Sequence, residues 1–119
     1  MNATPERLYQ LLVTVVFAGV LGNDAKLCDA IRAFDGAIEF RDETLHFTLP
    51  ALFDFLIAQT PDWPTQDDNS LHRNYLSFRK IIYKQPTNET LGKQGGMVEI
   101  ATPNENYDLT VYRLVRVEV

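Results

Sequence analysis

The chain has 119 residues, 45% of them apolar and 23% charged, which are the values of one ordinary globular domain rather than of a disordered chain. Its single cysteine, Cys28, excludes an internal disulfide framework and a cysteine-rich zinc site, so a reducing, cytoplasmic location is the expectation. The net charge of −5 disfavours non-specific adhesion to DNA or to anionic membranes.

The first predicted helix begins at Thr4 and Pro5 and ends at Gly22, because threonine caps helices, proline suits the first turn and glycine ends them. Its apolar segment 11–22 is shorter than the roughly twenty residues that a transmembrane helix needs. It also lacks the basic start and the cleavage site of a signal peptide, so no membrane partner is expected. A second helix follows, capped by Asn23 or Asp24 and stopped by Gly36.

The segment 37–48 alternates apolar and polar residues on either side of the tip RDET, which predicts a β-hairpin with a four-residue loop. A short third helix is predicted next, beginning with Thr48 or Leu49 before Pro50 and stopping at Thr60 and Pro61.

The segment 61–70 is rich in proline and aspartate and predicts a loop. A fourth helix is expected to start with Asp68 or Asn69 as its cap and to end at Pro86, followed by an irregular segment over 87–96. Two strands, 97–101 and 109–119, complete the chain on either side of a polar loop. The sequence therefore predicts one α+β domain over 1–119, with about four helices and a small antiparallel sheet.

The stretch NYLSFRKIIYK (74–84) lies in the fourth helix and separates into two sides. At 100° per residue one side collects apolar side chains, which predicts a buried stripe made of Leu71, Tyr75, Phe78 and Ile82. The opposite side carries three cations and a hydroxyl, which are groups that contact nucleic acids: Arg73, Ser77, Lys80 and Lys84. The same side chains also suit a merely solvated helix surface.

The charges are unevenly distributed along the chain. Residues 1–68 carry eleven acidic and four basic residues, a net of −7, whereas residues 69–119 carry five acidic and seven basic residues, a net of +2. A more basic half is one indication of a negatively charged partner.

The element order over 37–119 is similar to the winged-helix arrangement of DNA-binding domains, with an additional hairpin at 37–48 and two helices before it. In that family the last helix enters the major groove and the final hairpin is the wing beside it. The resemblance implies a non-enzymatic regulator that binds double-stranded DNA. The residues expected to face DNA are Arg73, Ser77, Lys80 and Lys84, with backbone contacts from Lys93, Arg113 and Arg116.

Two alternatives remain open. The first is a protein-interaction module, in the form of a homodimer or an adaptor. It would use the anchors Trp63, Leu76 and Tyr83 and an open edge along the strand 109–119. The second is a small enzyme or ligand binder without a visible motif.

No catalytic, cofactor or metal signature stands out in the sequence. Cys28 precedes Asp29, which disfavours the thiolate, and His46 alternates out of phase with its apolar neighbours. The loop acids at 62, 67 and 68 lack the spacing of a calcium loop. No cofactor or metal is therefore expected, while a carboxylate pair assembled in space stays open.

Overall fold

The structure is a computed structural model and describes residues 4–64 and 67–117. Within these residues the chain forms five helices and one antiparallel sheet of four strands, so the α+β class predicted from the sequence is confirmed. The helices are α1 (Pro5–Leu21), α2 (Ala25–Ala33), α3 (Leu49–Ala58), α4 (Asp68–Lys84) and α5 (Thr87–Gly92). The strands are β1 (Ile38–Arg41), β2 (Thr44–Phe47), β3 (Gly96–Thr102) and β4 (Val111–Arg116), with a 3₁₀ turn at Tyr107–Leu109 between β3 and β4.

Four of the helices start at a side-chain cap, since the oxygen of a threonine or aspartate accepts a hydrogen bond from a backbone N–H in the first turn. Three caps agree with the sequence: Thr4, Asp24 and Thr48. The cap of α4 was predicted at Asp68 or Asn69, which is wrong. Asp67 caps that helix instead and accepts the N–H of Ser70 at 2.7 Å.

The middle of α1 is wound as a π-helix over Leu12–Phe17. This segment contains Val13, Val15 and Val16, whose branched side chains disfavour a regular α-helix. The hydroxyl of Thr14, inside this segment, donates to the carbonyl of Gln10, in the preceding α-helical turn, at 2.6 Å. Within the described residues no single helix is long and apolar enough to cross a bilayer, and α1 with α2 reaches that length only across a 105° bend.

The strand order is β1-β2-β4-β3, so β4 lies inside the sheet. It pairs with β2 through Leu45 and Leu114 and with β3 through Val98 and Leu114. The prediction that the last strand is an open edge is therefore wrong, because both its sides are hydrogen-bonded. The predicted strand also extended to 119, and its last two residues lie outside the described ones.

Two local predictions need correction. The β1–β2 loop has two residues rather than four, since Asp42 and Glu43 both adopt positive φ, as a tight hairpin turn requires. The segment 87–96 is not irregular throughout, because α5 forms at Thr87–Gly92. Leu91 holds this short helix to the core with a fully buried side chain.

The core lies between the helices and one face of the sheet. Leu12, Val16 and Ile31 are buried in it, and Phe78, which the sequence predicts on the buried stripe of α4, is 0% exposed. Ile82, predicted to be nearly fully buried, is only half-buried. Tilted and edge-to-face contacts between aromatic rings join the layers, with Phe17 against Phe47 and Phe53 against both Tyr75 and Phe78.

Candidate functional site

The cationic side of α4 is exposed, as the helical phase predicts. Arg73, Ser77, Lys80 and Lys84 are all accessible to solvent. The Arg73 guanidinium donates to the Ser70 hydroxyl at 3.3 Å, one turn earlier. Lys80 and Lys84 have no ion-pair partner among the described residues. These four side chains lie on one side of one helix, while their contact with DNA stays a prediction.

The three cations assigned to the DNA backbone lie elsewhere. Lys93 is exposed after α5, whereas Arg113 forms a cross-strand ion pair with Glu99. Arg116 donates to the Val20 carbonyl at 3.0 Å and to the Asn23 side chain at 2.8 Å, and so joins β4 to the end of α1. Since side chains alternate along a strand, Arg113 and Arg116 point to opposite faces of the sheet. Both guanidinium groups therefore already bind partners within the protein.

The three anchors of the alternative protein interface have different surroundings. Trp63 and Leu76 are half-buried and pack against the core. Tyr83 is 53% exposed at the end of α4. Of the three, Tyr83 thus has the most accessible side chain.

Groups able to act as catalysts or metal ligands are dispersed. Within the described residues no three His, Cys, Asp or Glu side chains come close enough to hold a metal ion. His46 places Nδ1 at 3.0 Å from the Thr44 carbonyl on its own strand. The hydrogen bond from Arg7 lowers the pKa of Asp62, and the hydrogen bonds with Ser70 lower the pKa of Asp67, so each acid has a structural partner.

A cavity of about 560 Å³ opens between the sheet and the ends of two helices. Its walls come from α1, the start of α3, the end of α4, the start of α5, and the inner face of β2, β3 and β4. The apolar lining residues are Leu12, Phe17, Phe47, Leu49, Leu52, Ile82, Pro86, Val98 and Ile100. A cavity of this size and lining is typical of a small-molecule site.

The cavity has a buried floor and an accessible rim. Leu12, Phe17 and Phe47 form part of the floor and are exposed by no more than 2%. The rim includes Tyr83 and Ile100, and Ile100 is 55% exposed. The cavity is therefore open to solvent at this rim, between α4 and β3.

Hydroxyl and amide groups surround the apolar wall. The hydroxyl oxygens of Tyr83 and Tyr112 lie 2.5 Å apart and join α4 to β4 across the rim. Burial, together with this hydrogen bond, raises the pKa of Tyr112 above its ordinary value. Thr87 lies 2.8 Å from the Tyr9 hydroxyl, which holds the start of α5 to α1. These contacts fix the positions of the polar groups at the rim.

Asn88 closes the open side of β3 next to the cavity. Its side-chain amide donates to the Val98 carbonyl at 3.1 Å and accepts the Val98 N–H at 2.8 Å. One side chain thus replaces a neighbouring strand at that residue. The pairing holds α5 against β3 and sets the distance between two walls of the cavity.

Sequence reasoning missed the cavity because its residues come from seven separate elements. Of its accessible lining, only Tyr83 was singled out from the sequence, and for a different role. One feature of the sequence does point to this region. Residues 13–16 are all β-branched and lie in the π-helical segment, and the two ends of that segment, Leu12 and Phe17, line the cavity. Segments of this kind are frequent at functional sites.

The chain matches no protein-family model, no curated protein and no solved structure.

Proposed function

We propose that this protein is a binding domain that holds a small, largely apolar molecule in the cavity between β3, α5 and the end of α4. The observation that carries the proposal is the cavity of about 560 Å³, which reaches from the exposed rim to the core. Ligand sites commonly have volumes of about 300–1,000 Å³ and combine an apolar wall with a few fixed polar groups. The hydroxyl groups of Tyr83, Tyr112 and Thr87 supply such polar groups here.

The energetics of packing support this proposal. Moving apolar surface out of water is favourable by about 25 cal/mol per Å². Here Leu12 and Phe17, core residues with almost no exposure, line the cavity together with accessible residues. A bound apolar molecule would replace solvent in the cavity and pack against this apolar lining.

The test is titration with the uncharged fluorescent probe N-phenyl-1-naphthylamine. The wild-type protein should bind the probe with an increase in emission. Val98 lines the cavity, and Val98→Phe should fill part of it and weaken binding by at least about tenfold, because the added ring takes up volume that the probe would occupy. Val115→Phe is the matched control, because Val115 pairs with Met97 and does not line the cavity.

Circular dichroism should show that both valine variants are folded before their affinities are compared. Equal probe affinity of Val98→Phe and wild type would place the probe elsewhere and contradict the proposal. Failure of the wild-type protein to bind the probe would contradict it as well.

Binding of double-stranded DNA is a second candidate, favoured by the exposed cations of α4. Tyr75 and Arg79 of this helix both donate to Asp108 in the β3–β4 connection, with Arg79 at 2.9 Å. These bonds hold the hairpin beside the helix, which is the relation expected of a wing and a recognition helix. Arg113 and Arg116 would contribute only after leaving their present partners, so the four residues of α4 carry this candidate together with the exposed Lys93.

Titration of a labelled duplex against salt tests the second candidate. Each neutralised phosphate contributes about −0.9 to the log–log slope, so replacing both Lys80 and Lys84 by alanine should make the slope shallower by about two units. Lys26→Ala, on the exposed side of α2, should leave it unchanged. No binding of the wild-type protein at low salt would contradict a role in DNA binding.

A further inference from the structure

The charged residues that line the cavity have one sign. They are Glu89 and Glu99, and none of the lining residues is a lysine, arginine or histidine. The side chain of Glu99 alternates with those of Val98 and Ile100 and so lies on the other face of the sheet. Glu99 is bound by Arg113, whereas Glu89 has no ion-pair partner among the described residues. Glu89 lies in the exposed first turn of α5. The rim therefore offers one carboxylate that a ligand can use.

Aromatic rings stand at the same rim. Tyr83 and Tyr112 line the cavity and are joined through their hydroxyls. Tyr107, which is 62% exposed, packs against Tyr83 with ring centroids 6.0 Å apart at 57°. Ring faces attract positive charge, so Tyr83 and Tyr112 at the rim, with Tyr107 beside Tyr83, offer aromatic contacts to an ammonium group.

From these features we infer that the ligand is an organic cation, with an apolar body in the cavity and an ammonium group at the rim between Glu89 and the tyrosines. This inference rests on the proposed binding function and adds the charge of the ligand to it. An anionic amphiphile of the same shape is disfavoured, because its head group would approach Glu89 without a lining cation to bind it. The net charge of −5 also attracts cations to the protein as a whole.

The test compares three compounds with the same eight-carbon body: octyltrimethylammonium, octan-1-ol and octanoate. Each is titrated as a competitor of bound N-phenyl-1-naphthylamine, below the concentration at which it forms micelles. The ammonium compound should displace the probe at a concentration about tenfold lower than octanol does, because it gains one exposed ion pair and cation–π contacts. Octanoate should be weaker than octanol.

Glu89→Gln removes the charge while keeping the shape of the side chain. It should reduce the preference for the ammonium compound over octanol by about threefold to fivefold and leave octanol itself unchanged. Glu105→Gln, in the exposed β3–β4 connection outside the cavity, is the matched control and should leave the preference unchanged.

The possible outcomes separate the two proposals. If all three compounds displace the probe equally, or if Glu89→Gln and Glu105→Gln lower the preference to the same extent, the cavity binds apolar bodies and the inference about charge is overturned. If the wild-type protein binds no probe, the proposed binding function fails first. A tenfold preference that only Glu89→Gln reduces supports the organic cation.

Discussion

A few side chains of α4 fix the orientation of this helix against the rest of the molecule. Phe78 is fully buried and packs on Phe53, and Tyr75 extends from the same helix to Asp108. Arg79 binds the same carboxylate and lies over the Tyr75 ring, so one acid of the β3–β4 connection holds two side chains of α4. Exposed cations and buried rings thus alternate along a helix whose orientation is fixed by a few contacts.

Replacing Phe78 by alanine should lower the free energy of unfolding by about 3–5 kcal/mol, because a fully buried ring leaves a cavity that its neighbours fill only in part. Urea denaturation measures this loss. Lys80→Ala on the exposed side of the same helix is the control, with a change within about 0.5 kcal/mol. A small effect at Phe78 would contradict the burial of this side of α4.

Stability should also fall under alkaline conditions through Tyr75. Burial, and then the hydrogen bond to Asp108, raises the pKa of this phenol above its ordinary value of 10.0. The neutral phenol therefore contributes its full share to the free energy of unfolding below pH 10. This contribution is lost as the pH rises through the higher pKa of the folded state.

The measurement is urea denaturation between pH 9 and pH 11, a range that spans roughly the ordinary tyrosine pKa. The loss of stability across this range should be smaller in Tyr75→Phe, which cannot ionise, than in wild type. Tyr107→Phe, at an exposed ring, is the control. An equal pH dependence in wild type and Tyr75→Phe would exclude this residue as the cause.

At the scale of elements, the sheet protects its edge next to the cavity with a side chain. β3 is an edge strand, and unpaired backbone groups on such a strand can pair with another chain. The amide of Asn88 satisfies both backbone groups of Val98. The short helix α5 thus protects this edge and forms a wall of the cavity.

Asn88→Ala should expose the backbone of Val98 and increase its amide hydrogen exchange. A net hydrogen bond is worth about 0.5–1.5 kcal/mol, which corresponds to an increase of roughly twofold to tenfold. Asn88→Asp should show a smaller increase, because a carboxylate still accepts the Val98 N–H. Exchange of Val98 at the wild-type rate in Asn88→Ala would mean that another group protects it.

For the whole molecule, a ligand bound in the cavity would stabilise the folded chain. A ligand that binds only the folded chain stabilises it by RT ln(1 + [L]/Kd), whichever elements form the site. The residues that line the cavity extend from Leu12 to Tyr112 along the chain. We therefore expect a bound ligand to raise the stability of the whole fold in one cooperative unfolding transition. Self-association stays a prediction, and it can no longer rely on β4, which lies inside the sheet.

Thermal unfolding should therefore move to higher temperature as octyltrimethylammonium is added, with a gain of about 2.7 kcal/mol at one hundred times its Kd. Differential scanning calorimetry measures the shift, and Val98→Phe should lose most of it. A transition temperature independent of the compound in wild type would contradict binding to the folded state.

The sequence by itself determined the starts of α1, α2 and α3 and the buried side of α4. A cap such as Thr4 or Asp24 acts through a hydrogen bond within one turn, and the stripe around Phe78 follows from the helical repeat. Only the tertiary structure decided that β4 lies between β2 and β3, that α5 forms against β3, and that Tyr83 and Val98 border one cavity. Strand order depends on which distant segments pair, and a cavity is the volume left between elements after they have packed. Neither is encoded in the periodicity of any one segment.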